Sequence, residues 1–106
     1  MGQQAQFVFT DANDISWRPS SFATKVHVKD LGMADGRSMQ LVRYEPGARF
    51  PAHHHDGPEF IYVLEGELLH HGRRLGPGWA SVAPAGSSDE DIRTDTGCVF
   101  LTVYSE

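Results

Sequence analysis

His53 and His55 are separated by one residue and are followed, after Asp56-Gly57-Pro58, by Glu59. On an extended strand alternate side chains share a face, so these two imidazoles point one way and that of His54 the other. The Asp-Gly-Pro triplet reads as a turn. Glu59 then opens the apolar, β-prone run Phe60, Ile61, Tyr62, Val63, Leu64. Two imidazoles and one carboxylate therefore converge beside adjacent strands. That donor set suits a divalent transition metal, with the composition of a two-histidine, one-carboxylate facial site. A histidine run can also be the remnant of an affinity tag. This one is three residues long, lies mid-chain and is followed by a carboxylate at ligand spacing.

The elements that must hold these residues are short and extended. Residues 7–9 read as a brief strand, 11–14 as a turn-rich patch and 15–17 as a second extended piece stopped by Pro19. Residues 24–31 alternate, with Val26 and Val28 on one face and Lys25, His27 and Lys29 on the other, so His27 is expected at the surface. Residues 32–36 form a turn, and 38–45 the next strand, ended by Pro46-Gly47. Residues 60–69 read as one long strand bent near Gly66. His70-His71-Gly72 is a hairpin tip returning through Arg73, Arg74 and Leu75, and both histidines are expected in solvent. Strands follow at 79–83, 89–94 and 98–104, and the last, near-continuously apolar, makes Cys98 a core residue rather than a nucleophile. No capped helical pattern occurs. Many short strands with close turns specify a β-sandwich or barrel.

A chain of 106 residues with 40% apolar content supports one compact core. The net charge is −5 and the basic residues are dispersed, which excludes a nucleic-acid footprint. No run reaches membrane-spanning length, no signal peptide is expected, and a single cysteine makes a cytoplasmic setting the default.

The central stretch resembles the first cupin motif without a gap: Gly47, five residues, His53, one residue, His55, three residues, Glu59, six residues, Gly66. The second motif is met at Gly78, Pro84 and Gly86, but Asp89 stands where that motif has its histidine. The similarity runs from about Arg37 to Tyr104. In detail the sequence resembles small cupins of the acetylacetone-dioxygenase group and the cupin domain of zinc-binding anti-sigma factors, through the phrases PGARFPAHHH, VLEGE, GPGWASVAPAGS and GCVFLTVY. The resemblance implies an all-β, double-stranded β-helix or jelly-roll barrel over residues 1–106, with residues 1–20 as an N-terminal arm. It implies a metal held by His53, His55 and Glu59 inside the wide mouth, with Asp89 in the place of the fourth ligand. It also implies a homodimer, for which the apolar Phe7, Phe9, Trp17 and the run 60–64 supply surface.

Asp89 is either an oxygen ligand or part of a solvated acidic turn over residues 87–91, with Glu90 directed away and Asp91 returning toward the site. Two carboxylates with two imidazoles would formally neutralise a divalent ion, whereas three histidines and one glutamate leave one positive charge. Added carboxylate shifts preference toward harder ions, so iron, manganese and zinc all stand as candidates. Two functional classes follow. One is a mononuclear metal-dependent dioxygenase or other oxidoreductase acting on a small carbonyl compound. The other is a non-catalytic metal- or ligand-sensing binding module. A barrel that has lost its metal and persists as a scaffold, and a metal-independent isomerase, are weaker readings.

Overall fold

The computed structural model describes residues 6–105. The polar residues 1–5, where the N-terminal arm begins, and residue 106 lie outside the described residues. Among the described residues there is one helical turn, a 3-10 segment at Ala12–Asp14, capped by the Asp11 side chain accepting from the Asn13 amide at 2.9 Å. The rest is strand and turn. The strands are β1 (Arg18–Pro19), β2 (Val26–Ala34), β3 (Arg37–Tyr44), β4 (Arg49–Phe50), β5 (His53–His54), β6 (Glu59–Gly66), β7 (Leu68–His70), β8 (Arg73–Leu75), β9 (Ala80–Ala83), β10 (Ser88–Asp89), β11 (Ile92–Arg93) and β12 (Cys98–Ser105).

A six-stranded antiparallel sheet runs in the order β1-β2-β3-β12-β6-β9. A four-stranded sheet, β4-β11-β7-β8, and the pair β10-β5 complete the fold. Period-two alternation sends Val26, Val28, Val42, Tyr44, Ile61, Val63 and Phe100 inward from the large sheet. They pack with Leu68, Leu75, Ile92 and Ala48 from the smaller sheet and its connections into one core. This is the expected all-β jelly roll. Cys98 lies within the core, and burial pushes its thiol up to about 11, so it is a small apolar filler. No helix among the described residues is long and apolar enough to cross a membrane.

Several local expectations are corrected. Residues 7–9 form no strand; Phe7 and Phe9 stack on each other at 6.1 Å and stay exposed, because no sheet edge pairs with them. The extended piece at the N-terminus is Arg18–Pro19 rather than residues 15–17, with Pro19 opposite His27 on the outermost strand, where a missing N–H is tolerated. Trp17 is covered instead by two cations, Lys29 Nζ at 5.0 Å and the Arg43 guanidinium at 4.9 Å from its ring. The strand expected at 89–94 is broken into β10 and β11, which pair with different strands. His27 does lie near the surface, where its Nε2 is 2.7 Å from Glu45 Oε2.

Residues 59–70 bend at Gly66, as expected, into β6 and β7. Gly66 has φ of 72°, and a Cβ there would meet the carbonyl oxygen of Gly97 well inside van der Waals contact. Gly66→Ala combines a left-handed backbone with a backbone clash. It is expected to lower stability by about 3 kcal/mol and the melting temperature by roughly 15 °C. Gly76, with open space around it and no positive φ, is the control. Equal melting temperatures for Gly66→Ala and Gly76→Ala would contradict this account of the bend.

Candidate metal centre

The site is assembled by strand register. β5 pairs antiparallel with β10, placing Asp89 opposite His53 and Ser88 opposite His54. The pairing extends through the His55 amide, which donates to Ser87 O at 2.8 Å, and the Gly86 amide, which donates to His55 O at 2.8 Å. His53, His55 and Asp89 therefore share the inner face. His54 points outward, exposed, with its Nδ1 at 3.3 Å from Ser88 Oγ. Glu59 enters from the first residue of β6, opposite Tyr104 of β12, and Thr102 Oγ1 donates to its Oε2 at 3.2 Å.

One donor atom from each of His53, His55, Glu59 and Asp89 lies within 4.8 Å of all the others. His55 Nε2 is 2.9 Å from Asp89 Oδ2 and 3.4 Å from Glu59 Oε1, and His53 Nε2 is 3.4 Å from the same Asp89 oxygen. His53 Nδ1 is 2.9 Å from the Pro51 carbonyl. A carbonyl only accepts, so Nδ1 carries the proton and Nε2 presents its lone pair to the centre. That is the outer hydrogen bond by which proteins orient metal-binding imidazoles.

The electrostatics fit a cation. Burial pushes the Glu59 carboxyl up; His55 opposes that shift and the nearby Asp89 carboxylate adds to it. Burial also works against ionised Asp89, yet hydrogen bonds from His70 and His55 outweigh it and hold this carboxyl well below the usual range. Two inward carboxylates beside two imidazoles form a donor set that a divalent ion would satisfy.

The four expected site residues are thus brought together. Asp89 is 2% exposed, which removes the reading as a solvated acidic turn, while Glu90 is exposed. Asp91 is not part of the group; its Oδ1 is 3.4 Å from Arg93 Nε because the chain leaves the strand at residues 90–91. The expectation of a solvent-facing His70 is overturned. Its side chain is 10% exposed, its Nε2 is 2.8 Å from Asp89 Oδ1, and its Nδ1 is 3.0 Å from Ser81 Oγ. The signal was present in the sequence: His70 lies two residues after Leu68, so a buried Leu68 carries His70 to the inner face, where it pairs with buried Ile92. His71 is half exposed, as expected.

The cluster opens on a cavity of about 430 Å³, a size suited to a small molecule. Its walls include Val26, Val42, Ile61 and Phe100, and Arg18 and Gln40 also reach it. The Arg18 charge is already matched by Asp30, through contacts of 2.8 and 3.0 Å, and Gln40 donates to the same carboxylate at 2.7 Å.

Comparison with known proteins places this geometry in context. The structure superposes on a putative acetylacetone dioxygenase from Methylibium petroleiphilum PM1 with a TM-score of 0.91 at 16% identity, over 99% of this chain and 81% of the other. For the acetylacetone dioxygenase of Acinetobacter johnsonii the TM-score is 0.81 at 13% identity, over 99% and 76%. The Rhodobacter sphaeroides anti-sigma ChrR complex with SigE matches with a TM-score of 0.75 at 22% identity, over 90% of this chain and 51% of the matched chain. At these identities the likeness is one of fold. No curated protein matches the sequence significantly. The sequence profile of the ChrR cupin-like domain matches residues 5–106, so the chain belongs to the ChrR cupin-like family.

Proposed function

We propose that the protein binds one divalent transition metal tightly through His53, His55, Glu59 and Asp89, and that it acts there as a metal-dependent oxidoreductase, a mononuclear dioxygenase, on a small carbonyl compound. The observation that carries this reading is the convergence of four donor atoms within 4.8 Å on a largely apolar cavity. When bound, such a metal supplies Lewis acidity and open coordination positions. The chain supplies the rest. The Pro51 carbonyl fixes the His53 tautomer, Thr102 anchors Glu59, and the apolar walls Val26, Val42, Ile61 and Phe100 suit the carbon skeleton of a small ligand. With Arg18 neutralised by Asp30, the cavity offers no free cation from that side for a large polyanion. The fold shared with acetylacetone dioxygenases supports a small carbonyl substrate.

Iron, manganese and zinc all suit the donors. Metal analysis of protein purified without a nickel column, followed by oxygen uptake with β-diketones and small acids, tests the reading. Metal binding without oxygen uptake would favour the second reading, a non-catalytic metal- or ligand-sensing module. The family match and the fold shared with ChrR support that alternative.

The outer face of β6 and β9 exposes Phe60, Tyr62, Leu64 and Val82. This apolar strip supports pairing of two copies. Light scattering is expected to give twice the 11.7 kDa chain mass, and the single-chain mass at micromolar concentration would contradict it.

A further inference from the structure

The Asp89 carboxylate is shared between two pairs of histidines. Its Oδ2 faces His55 at 2.9 Å and His53 at 3.4 Å; its Oδ1 faces His70 at 2.8 Å and His71 at 3.7 Å. We propose that His70, His71 and Asp89 form a second divalent-metal position, joined to the first through the Asp89 carboxylate.

Three observations carry this. One donor atom from each of His70, His71 and Asp89 lies within 4.8 Å of the others. The second ring nitrogen of His70 is held by Ser81 Oγ at 3.0 Å, the outer hydrogen bond that orients a metal-binding imidazole. The third is the hairpin itself. Adjacent residues on a strand send their side chains to opposite faces, so two consecutive histidines should not meet one carboxylate. Here His71 has φ of 50° and Gly72 φ of 75°. This pair of left-handed residues, the pattern of a tight hairpin turn, brings the His71 ring to 4.8 Å from that of His70. A non-glycine residue in that conformation is strained, so the sequence keeps His71 there against its backbone preference. The turn thus aims both imidazoles at one oxygen.

Two imidazoles and a shared carboxylate are borderline donors that select zinc, cobalt, nickel or copper over calcium or magnesium. Three protein ligands leave a coordination position open. With the His71 side chain 51% exposed, that position lies toward solvent, so its ion exchanges more readily than the first. The cavity is bordered by His53, His55, Glu59 and Asp89, with neither His70 nor His71 on its wall. The second position is therefore behind Asp89. It goes beyond the single-metal reading, with which it shares one residue, so variants of the other ligands separate the two.

The metal-free protein should be titrated with cobalt(II), using equilibrium dialysis and the visible absorption of the bound ion. Two equivalents per chain are expected, the second at least about tenfold weaker, since it has fewer and more exposed ligands. His71→Ala, at an exposed position, is expected to weaken only the second equivalent, by roughly 10–100-fold. The His70→Ala, His71→Ala variant, checked for folding by circular dichroism, should keep one equivalent. A His53→Ala, His55→Ala variant should keep the weaker one. Saturation of the wild type at one equivalent overturns the second position while leaving the first intact, as does a second equivalent that His71→Ala does not change. A single wild-type equivalent that His71→Ala weakens but the His53→Ala, His55→Ala variant keeps would instead count against the first site and leave the second standing.

Discussion

A protein carrying both His53→Ala and His55→Ala is expected to lose its tightly held metal, with affinity falling by on the order of a thousandfold or more. Loss of an outer-sphere partner alone typically costs 10–100-fold, and this variant removes two of four inner donors. What remains is Glu59 and Asp89, whose carboxylates face a centre that no longer has an imidazole on the cavity side. His54→Ala is the control, because His54 lies between the two ligands in sequence yet points outward. It should leave affinity within about twofold, as surface substitutions usually do. The same comparison has a pH arm. A metal binds neutral imidazole, so protons compete with it and wild-type affinity should fall as the solution is acidified. Tight metal content that is equal in the double variant, the His54→Ala variant and the wild type would refute the assignment.

The information that places these ligands is local in the sequence. Period-two spacing aligned His53 with His55 and set His54 apart, and the turn at 56–58 returned Glu59 to the same centre. Both facts depend on neighbours in the chain. The strand set was legible for the same reason wherever apolar alternation was sustained, as in β2, β3, β6 and β12. The failures are places where partners distant in sequence decide. Residues 7–9 have strand composition but no edge to pair with. Arg18–Pro19 lacks strand composition but lies against β2. For His70 a hairpin tip suggests solvent, whereas its position in the sheet is set by β11 on one side and β8 on the other.

The aspartate at position 89, where the second cupin motif that the sequence resembles has histidine, is better understood once His70 and His71 are placed. An imidazole at 89 would offer one inward nitrogen. A carboxylate offers two acceptor oxygens, and both are used here, one toward His53 and His55 and one toward His70 and His71. Its ionised state is held in place by hydrogen bonds from His70 and His55 despite burial. The aspartate therefore extends the polar cluster to His70 of the smaller sheet, with Ser81 of β9 beyond it.

Variants of Asp89 should consequently affect more than a single ligand bond. Asp89→Ala is expected to weaken tight metal binding by about a hundredfold or more, the upper end of what outer partners cost, and to remove the weaker equivalent altogether. Metal-free protein should also lose stability, by about 2 kcal/mol, because buried hydrogen bonds to a charged group vanish and His70 Nε2 is left without an acceptor. Glu90→Ala, at the exposed neighbouring position, should change neither quantity appreciably. Asp89→His separates the two roles. Its imidazole can return a donor to the first position, raising the formal charge of that site by one unit, so the tight equivalent should be kept. It cannot bridge toward His70 and His71, so the second equivalent should be lost. Isothermal titration of the three variants with zinc(II), alongside their melting curves without metal, reads all of these outcomes. If Asp89→Ala and Glu90→Ala bind metal equally well, Asp89 is not a ligand and the first position has three protein donors, His53, His55 and Glu59. If Asp89→His still takes up two equivalents, the carboxylate is not what joins the two positions.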